Sequence, residues 1–286
     1  MIWSLNTAPP LSERQFTQWS KLLEDRVGIT LSSNQRQFLQ TQVSLRMREI
    51  GQDDYTQYFD HVNDGVTGRL EWTILVDRLV VKETSFFRHQ PSLSYVRNHL
   101  QEKINNDDLH ESYDVWSLGC STGEEPYSLV MLLNESFELA KKDPLLGVTA
   151  TDISRVAISI GKAGTYPERK LDFVPQALRY KYFSQAGGKK FRFDHEVAEK
   201  MCFNCANVMN LGSMPIMYFD IIYCQNMLVY FQREMRHRLL DELVKRLKPG
   251  GVLVLGLGEV VSWSNAAVDR VPEPEVQAYK RRGGDI

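Results

Sequence analysis

Acidic and amide side chains follow three apolar runs, and together they could bind a small polar ligand. Glu124 and Glu125 follow a turn of small residues after a run that ends at Leu118. Asp152 ends a second apolar run, and Asn226 comes directly after a third. Because the carboxyl ends of parallel strands meet at one edge of a sheet, we expect these side chains to line one cleft, where α/β folds bind nucleotide-like cofactors.

The turn at residues 119–123 indicates which cofactor this cleft takes. The pattern there predicts a strand, a tight loop and a helix, with Pro126 in the first helical turn. The G-x-G-x-x-G pattern of dinucleotide binding is absent, since Ser121 stands at its middle glycine. The two glutamates would repel a phosphate and favour a cation, so S-adenosylmethionine fits better than NAD or ATP. Alternatively, they only stabilise the N-terminus of the helix.

Asp152 is expected to bind the ribose of such a cofactor. A carboxylate at the end of a neighbouring strand does this in α/β folds. It follows Gly123 by 29 residues (152 − 123), against about 20 in the dinucleotide pattern, because a polar stretch at 141–143 lengthens the connection. Alternatively, Asp152 only caps the next helix.

Composition and charge exclude several classes of function. The chain has 286 residues and a formal net charge of −2, so its overall charge predicts no binding to nucleic acid or to an anionic membrane. Its first residues lack the basic start and apolar core of an export signal, and no segment approaches the roughly 20 apolar residues of a membrane span. We therefore expect a cytoplasmic protein with no membrane insertion.

The four cysteines are expected to be buried or half-buried thiols in a reducing compartment. Only Cys202 and Cys205 have the C-x-x-C spacing of metal and redox sites. A structural zinc site needs four ligands, and no second pair follows, so we predict no metal site.

The spacing of apolar residues predicts two domains joined by a linker. Helical spacing without a strand signal predicts a small all-α domain at residues 1–79. A linker at 80–95 contains the sequence TSFFR. Strands and helices alternate over 96–286, which predicts an α/β domain with a mostly parallel, Rossmann-like sheet. That alternation stops at 166–206, where we expect an inserted antiparallel β-subdomain.

Six segments together resemble the CheR family, the S-adenosylmethionine-dependent glutamate O-methyltransferases of bacterial chemosensory receptors. They are TSFFR at 84–88, STGEEPYS at 121–128, ATD at 150–152, NV at 207–208, CQNMLVYF at 224–231 and LKPGG at 247–251. LKPGG and a strand-end aspartate occur widely among methyltransferases, whereas the others are more specific in this order. The resemblance covers most of the chain and implies the same methyltransferase sheet, all-α domain and β-subdomain.

The resemblance also implies a site for S-adenosylmethionine and its product S-adenosylhomocysteine. The implied cofactor ligands are Thr84 and Arg88 at the methionine end, Gly119 and Glu124 in the loop, Asp152 at the ribose, Asn207 and Val208 at the adenine, and Asn226 and Met227 completing the pocket. Arg88 and Tyr230 are implied at the reaction centre as the catalytic residues. A glutamate acceptor is already an anion near neutral pH, so the reaction requires no general base.

Three departures from the family pattern point to one of its branches. Lys82 stands where an asparagine that contacts the cofactor is usual, and Gln225 replaces the usual arginine. The turn at 185–190 of the predicted β-subdomain is short, which weakens the inference that a receptor tail peptide docks there. The family includes enzymes of pilus-associated chemosensory systems, and these departures indicate such a branch.

The implied partner is the cytoplasmic helical region of methyl-accepting chemotaxis receptors. Arg36, Arg46 and Arg48 lie on the polar face of the second predicted helix, where they could contact an acidic helix or form only a solvated surface.

Two other functions stay open. Methylation of an amine or a nucleobase is disfavoured, because those enzymes commonly have D/N-P-P-Y/F and here Met227 follows Asn226. A non-catalytic cofactor-binding adaptor is left some room by Lys82 and Gln225.

Overall fold

The computed structural model describes residues 10–283, and the chain divides into two units. The first contains the residues up to Val81 together with Tyr230–Gln232, and the second contains Lys82–Val229 and the residues from Arg233 onward. The helices of the first unit are α1 (Glu13–Val27), α2 (Arg36–Glu49), α3 (Tyr55–Asn63) and α4 (Gly65–Leu79). The predicted all-α amino-terminal part is thus confirmed.

Capping and ring packing organise the helical unit. Ser12 caps α1 by accepting a hydrogen bond from the backbone N–H of Gln15, and the helix ends at Gly28 with a φ of 76°. Trp19 and Tyr58 are buried at the centre of the unit, with their ring centroids 5.6 Å apart.

Arg46 does not lie on a solvated face, and the sequence-based placement was wrong for this residue. Its guanidinium donates to both carboxylate oxygens of Glu71, at 2.8 and 2.7 Å, and the hydroxyl of Tyr58 donates to the same carboxylate at 2.7 Å. The side chains of Arg46 and Glu71 are only 16% and 7% exposed. Burial acts to raise the pKa of Glu71, but the hydrogen bonds from Arg46 and Tyr58 outweigh it and lower that pKa.

The other two arginines differ from Arg46. Arg36 is half-buried and its guanidinium pairs with Glu13 at 2.8 Å, while Arg48 is exposed.

Charge reversal at Arg46 and at Arg48 should therefore have different effects. Arg46→Glu would bury a second carboxylate beside Glu71, and we expect it to lower the free energy of unfolding of the helical unit by about 3–5 kcal/mol. Arg48→Glu should change it by no more than about 0.5 kcal/mol. Hydrogen exchange of the α2 amides measures both effects, and equal protection in the two variants would contradict the assignment.

Among its described residues, the second unit contains ten strands and six α-helices. The strands are β1 (Ser112–Leu118), β2 (Leu145–Asp152), β3 (Thr165–Pro167), β4 (Phe183–Gln185), β5 (Lys190–Phe193), β6 (Met201–Cys205), β7 (Phe219–Cys224), β8 (Leu247–Leu255), β9 (Val268–Arg270) and β10 (Gln277–Arg281). The helices are α5 (Gln90–Asn105), α6 (Glu124–Ala140), α7 (Arg155–Ala163), α8 (Gln176–Tyr182), α9 (His195–Ala198) and α10 (Arg233–Val244).

Seven strands form one sheet in the order β6-β2-β1-β7-β8-β10-β9. The first five are parallel, and β10 runs antiparallel to both of its neighbours. The central strand β7 is buried along its whole length, as expected where both faces of a parallel sheet are covered. The predicted mostly parallel, Rossmann-like sheet is confirmed.

The inserted subdomain is a three-stranded antiparallel sheet in the order β3-β5-β4. The prediction that the antiparallel ribbon continues to residue 206 was wrong for β6, because β6 pairs in parallel with β2 as an edge of the main sheet. Met201 and Phe203 alternate with polar residues, and that pattern fits any strand with one covered face, whichever sheet it joins.

Two features bear on the expected cellular setting. None of the helices within residues 10–283 combines the length and apolar character required to cross a lipid bilayer. Cys120 and Cys224 are buried as expected, whereas Cys202 and Cys205 are exposed on β6.

Candidate functional site

Asp152 joins the carboxyl ends of β1 and β2. Its carboxylate accepts hydrogen bonds from the backbone N–H groups of Ser121 and Ser154, each at 2.8 Å. The backbone N–H of Gly119 donates to the carbonyl of Thr151 at 2.8 Å. The N-cap of α7 is Ser154, so the alternative that Asp152 is itself the cap was wrong. This carboxylate therefore holds the loop after β1.

Gly119 and Met227 come together at the same edge. Gly119 has a φ of 75°, and a Cβ atom there would lie 3.0 Å from the Sδ atom of Met227. Met227 is half-buried, and Asn226 before it is exposed with a φ of 58°. A left-handed backbone at a non-glycine residue costs about 1–3 kcal/mol and is common in ligand-binding segments.

The side chains of Glu124 and Glu125 lie in different surroundings. Glu124 is fully buried, accepts a hydrogen bond from the hydroxyl of Thr122 at 2.6 Å, and pairs with Lys170 at 2.9 Å. The structure therefore places Glu124 inside the fold, where its contacts hold the loop.

Glu125 is the half-buried carboxylate at the strand edge. It accepts a hydrogen bond from the hydroxyl of Ser117 at 2.7 Å. Burial raises the pKa of Glu125 to about 8; the Ser117 hydrogen bond opposes this rise, the charge of Glu259 adds to it, and the charge of Arg88 also opposes it. A bound cation would stabilise the ionised form of this carboxylate.

Lys170, on the inserted subdomain, links the TSFFR segment to the loop. Its ammonium donates to the carbonyl of Thr84 at 2.9 Å and also pairs with Glu124. The hydroxyl of Ser121 donates to the carbonyl of Lys82 at 3.1 Å. That contact of Lys82 uses the backbone, which an asparagine would supply equally.

We expect Lys170→Met to destabilise this region. The change leaves Glu124 buried without its cation, and we expect it to lower the free energy of unfolding by about 1–3 kcal/mol. Lys162→Met, at an exposed position on α7, is the matched control and should have little effect. Urea unfolding measures both, and equal midpoints would contradict the role of Lys170.

The two phenylalanines of TSFFR anchor this segment and leave Arg88 exposed. Phe86 and Phe87 are 0% and 8% exposed, and the backbone N–H of Phe87 donates to the hydroxyl of Ser128 at 2.9 Å. Phe87 has a φ of 50°. The guanidinium of Arg88 donates to the carbonyl of Glu83 at 3.2 Å.

The remaining predicted residues lie at the ends of other strands. Asn207 follows β6, and its side chain accepts a hydrogen bond from the backbone N–H of Met209 at 3.0 Å. Asn207 and Val208 are half-buried. The side chain of Gln225 is buried and donates to the hydroxyl of Ser92 at 2.8 Å, so this departure from the family pattern is satisfied internally.

Tyr230 belongs to the helical unit, where its carbonyl accepts a hydrogen bond from the backbone N–H of Thr30 at 2.8 Å. Its pairing with Arg88 at a reaction centre stays a prediction.

Glu259 is the residue that sequence reasoning missed. It lies after β8 and is 4% exposed, and its charge acts on Glu125. The sequence did contain one indication of this residue, because Glu259 is the single charged side chain in the apolar stretch at 252–261.

The residues along this edge fit S-adenosylmethionine. Asp152 offers carboxylate oxygens to hydroxyl donors, and Glu125 offers a desolvated carboxylate to a cation. Val208 and Met227 offer half-buried apolar side chains to a base or a thioether.

Comparisons with known proteins identify the family of this chain. The model of the CheR methyltransferase all-alpha domain matches residues 14–80, and that of the CheR methyltransferase SAM binding domain matches residues 82–276. A chemotaxis protein methyltransferase of Borreliella burgdorferi is 28% identical over 255 residues, which cover 88% of this chain and 89% of that protein. A second one, from Vibrio parahaemolyticus, is 30% identical over 261 residues, which cover 88% of this chain and 91% of that protein.

A relative with a different printed role is a probable biofilm formation methyltransferase, WspC, of Pseudomonas aeruginosa. It is 27% identical over 268 residues, which cover 92% of this chain and 61% of that protein. Since the SAM binding match alone spans more than half of the sequence, the chain belongs to the CheR family of S-adenosylmethionine-dependent methyltransferases.

Proposed function

We propose that this enzyme methylates glutamate side chains of methyl-accepting chemotaxis receptors, giving glutamate methyl esters and S-adenosylhomocysteine. The names of the curated relatives support the chemotaxis role. The observation that carries the proposal is that Glu125 accepts a hydrogen bond from Ser117 near the end of β1, while the exposed Arg88 follows Phe87, which is hydrogen-bonded to Ser128 on the helix that contains Glu125. The carboxylate of Glu125 would attract the cationic cofactor, and the guanidinium of Arg88 would attract an anionic acceptor.

Each part of the cofactor has a proposed partner in this unit. Asp152 accepts from the ribose hydroxyls, because its carboxylate already lies at the junction of β1 and β2. Asn207 and Val208 frame the adenine. Glu125 receives the α-ammonium in place of Glu124, since Glu124 is fully buried and paired with a lysine.

The other predicted ligands keep their proposed places. Thr84 and Arg88 lie at the methionine end, and Gly119 permits the close approach of Met227. Asn226 completes the pocket.

The proposed chemistry requires positioning and charge more than proton transfer. When bound, S-adenosylmethionine supplies a methyl group activated by its sulfonium. A glutamate acceptor has an ordinary pKa of about 4.3, so it is ionised near neutral pH and requires no general base. Arg88 orients the acceptor carboxylate through its two-pronged guanidinium, and exclusion of water strengthens the attraction between opposite charges. Tyr230 as a second catalytic residue rests on the family resemblance.

The proposed partner surface changes with the structure of the helical unit. Arg46 pairs with Glu71 inside that unit, so it is withdrawn from the proposed contact with the receptor helices. Arg48 is exposed and stays in the proposal, together with the half-buried Arg36.

Transfer from labelled S-adenosylmethionine to a receptor cytoplasmic fragment tests the proposed reaction class. We expect label that mild base releases, since a methyl ester hydrolyses, and no label when the acceptor glutamates are replaced by glutamine. Base-stable label would point to N-methylation and contradict the proposal.

A further inference from the structure

The carboxylate of Glu259 joins the turn after β7 to the end of β8. One oxygen accepts a hydrogen bond from the backbone N–H of Gly256 at 2.8 Å, and the other accepts from the backbone N–H of Val229 at 3.4 Å. Two N–H groups from two segments thus share one buried acceptor.

Gly256 is shaped to receive this carboxylate. A Cβ atom at position 256 would lie 2.4 Å from the Oε2 atom of Glu259, well inside the contact distance. The backbone N–H of Glu259 also donates to the carbonyl of Gly256 at 3.1 Å. From α10, the guanidinium of Arg236 donates to the carbonyl of Glu259 at 2.7 Å. The backbone of Glu259 is therefore held from two sides, which positions its carboxylate.

The turn that Glu259 holds contains two of the proposed cofactor ligands. Asn226 has a left-handed backbone with a φ of 58°, a conformation that asparagine adopts more readily than most other non-glycine residues. Met227 after it packs over Gly119 at the loop after β1. The hydrogen bond from the backbone N–H of Val229 to Glu259 holds the end of this turn, so it favours the conformation that presents Asn226 and Met227.

The charge of Glu259 also reaches the strand edge. Burial raises the pKa of Glu259, and its backbone hydrogen bonds and the charge of Arg236 oppose that rise. The charge of Glu259 contributes to the raised pKa of Glu125. An ionised carboxylate whose charge reaches this edge favours a cationic guest.

We propose that Glu259 is a positioning residue for cofactor binding: its carboxylate holds the turn at residues 226–229 against the end of β8 through the backbone N–H groups of Val229 and Gly256. This inference rests on the proposed cofactor site. Glu259 would contact the turn that carries cofactor ligands, and it would not contact the cofactor itself.

Calorimetric titration of the full chain with S-adenosylhomocysteine tests this role. We expect Glu259→Gln to weaken binding about 10-fold or more, because the amide group can accept from one side only. Glu168→Gln, which removes an exposed carboxylate paired with Arg179, is the matched control and should leave affinity unchanged. Unchanged affinity in folded Glu259→Gln protein would overturn the inference.

Hydrogen exchange separates positioning from general stability. We expect faster exchange in the Glu259→Gln variant at residues 225–229 and 256, with the rest of the sheet protected as before. A purely structural role would instead raise exchange throughout the sheet, and that result would also overturn the inference.

A second variant decides the matter if Glu259→Gln does not fold. Gly256→Ala keeps the charge but displaces the carboxylate, so a similar loss of affinity is expected and wild-type affinity would overturn the inference. Both measurements use cofactor product alone, so they stand whether or not the enzyme methylates receptor glutamates.

Discussion

Asp152→Ala is expected to weaken the binding of S-adenosylmethionine by about 100-fold or more. The substitution removes two charge-assisted hydrogen bonds to the loop after β1, each worth about 1.5–3 kcal/mol. It also removes the proposed acceptor for the ribose hydroxyls. The loop and the cofactor lose their common anchor, so affinity should fall more than at any other position along this edge.

The matched control for this prediction is Asp143→Ala. Asp143 is exposed and lies just before β2, so its removal should leave affinity unchanged. Titration calorimetry on both folded variants measures the difference. A folded Asp152→Ala variant with wild-type affinity would contradict the assignment of the ribose site.

Glu125→Gln is expected to weaken binding of S-adenosylmethionine by about 10–100-fold, because it removes the carboxylate that we propose receives the α-ammonium. Glu138→Gln, an exposed change on the same helix, is the matched control. A Glu125→Gln variant that binds as tightly as wild type would contradict the proposed role.

The pH dependence of binding gives an independent test of Glu125. Its pKa is raised from about 4.5 to about 8, so the fold favours its protonated form. That contribution to stability is complete below about pH 4.5 and is lost as the pH rises through 8. A cation selects the ionised form, so affinity should increase with pH up to about 8 and then level off.

The groups that face Glu125 set the size of this pH effect. The Ser117 hydrogen bond and the positive charge of Arg88 favour ionisation, while the charge of Glu259 opposes it. In the wild type, cofactor binding below about pH 8 should release a proton, which calorimetry detects as a dependence of the binding heat on the buffer. In Glu125→Gln this part of the pH dependence should disappear.

The carboxyl ends of parallel strands share one edge of a sheet, and this rule was sufficient to predict which segments meet. The residues that follow β1, β2, β6 and β7 are placed by a parallel sheet, whose carboxyl ends share one edge. Asp152 and Gly119 needed only that rule, and the structure brings their segments together through backbone hydrogen bonds.

That rule could not predict ion pairs between residues that lie far apart in the sequence. Glu124 and Glu125 are adjacent and chemically identical, and Lys170, which pairs with one of them, comes from the inserted subdomain. Arg46 likewise has its partner on another helix. Sequence periodicity shows which face of a helix is polar, but it does not show which charge a distant residue neutralises.

Strand pairing was misjudged at β6 for a related reason. The alternation of Met201 and Phe203 with polar residues has the period of any half-covered strand. Only the pairing of Phe203 with Ala150 on β2 assigns it to the main sheet.

Mass spectrometry of a chemoreceptor cytoplasmic fragment, after incubation with this enzyme and S-adenosylmethionine, tests the proposed reaction most directly. We expect the mass of one methyl group on glutamate side chains, removed by mild base, and no such addition with the Asp152→Ala variant. Two results would contradict glutamate methylation. One is an unmodified fragment although the enzyme binds S-adenosylmethionine, and the other is a methyl group on lysine, arginine or the N-terminus.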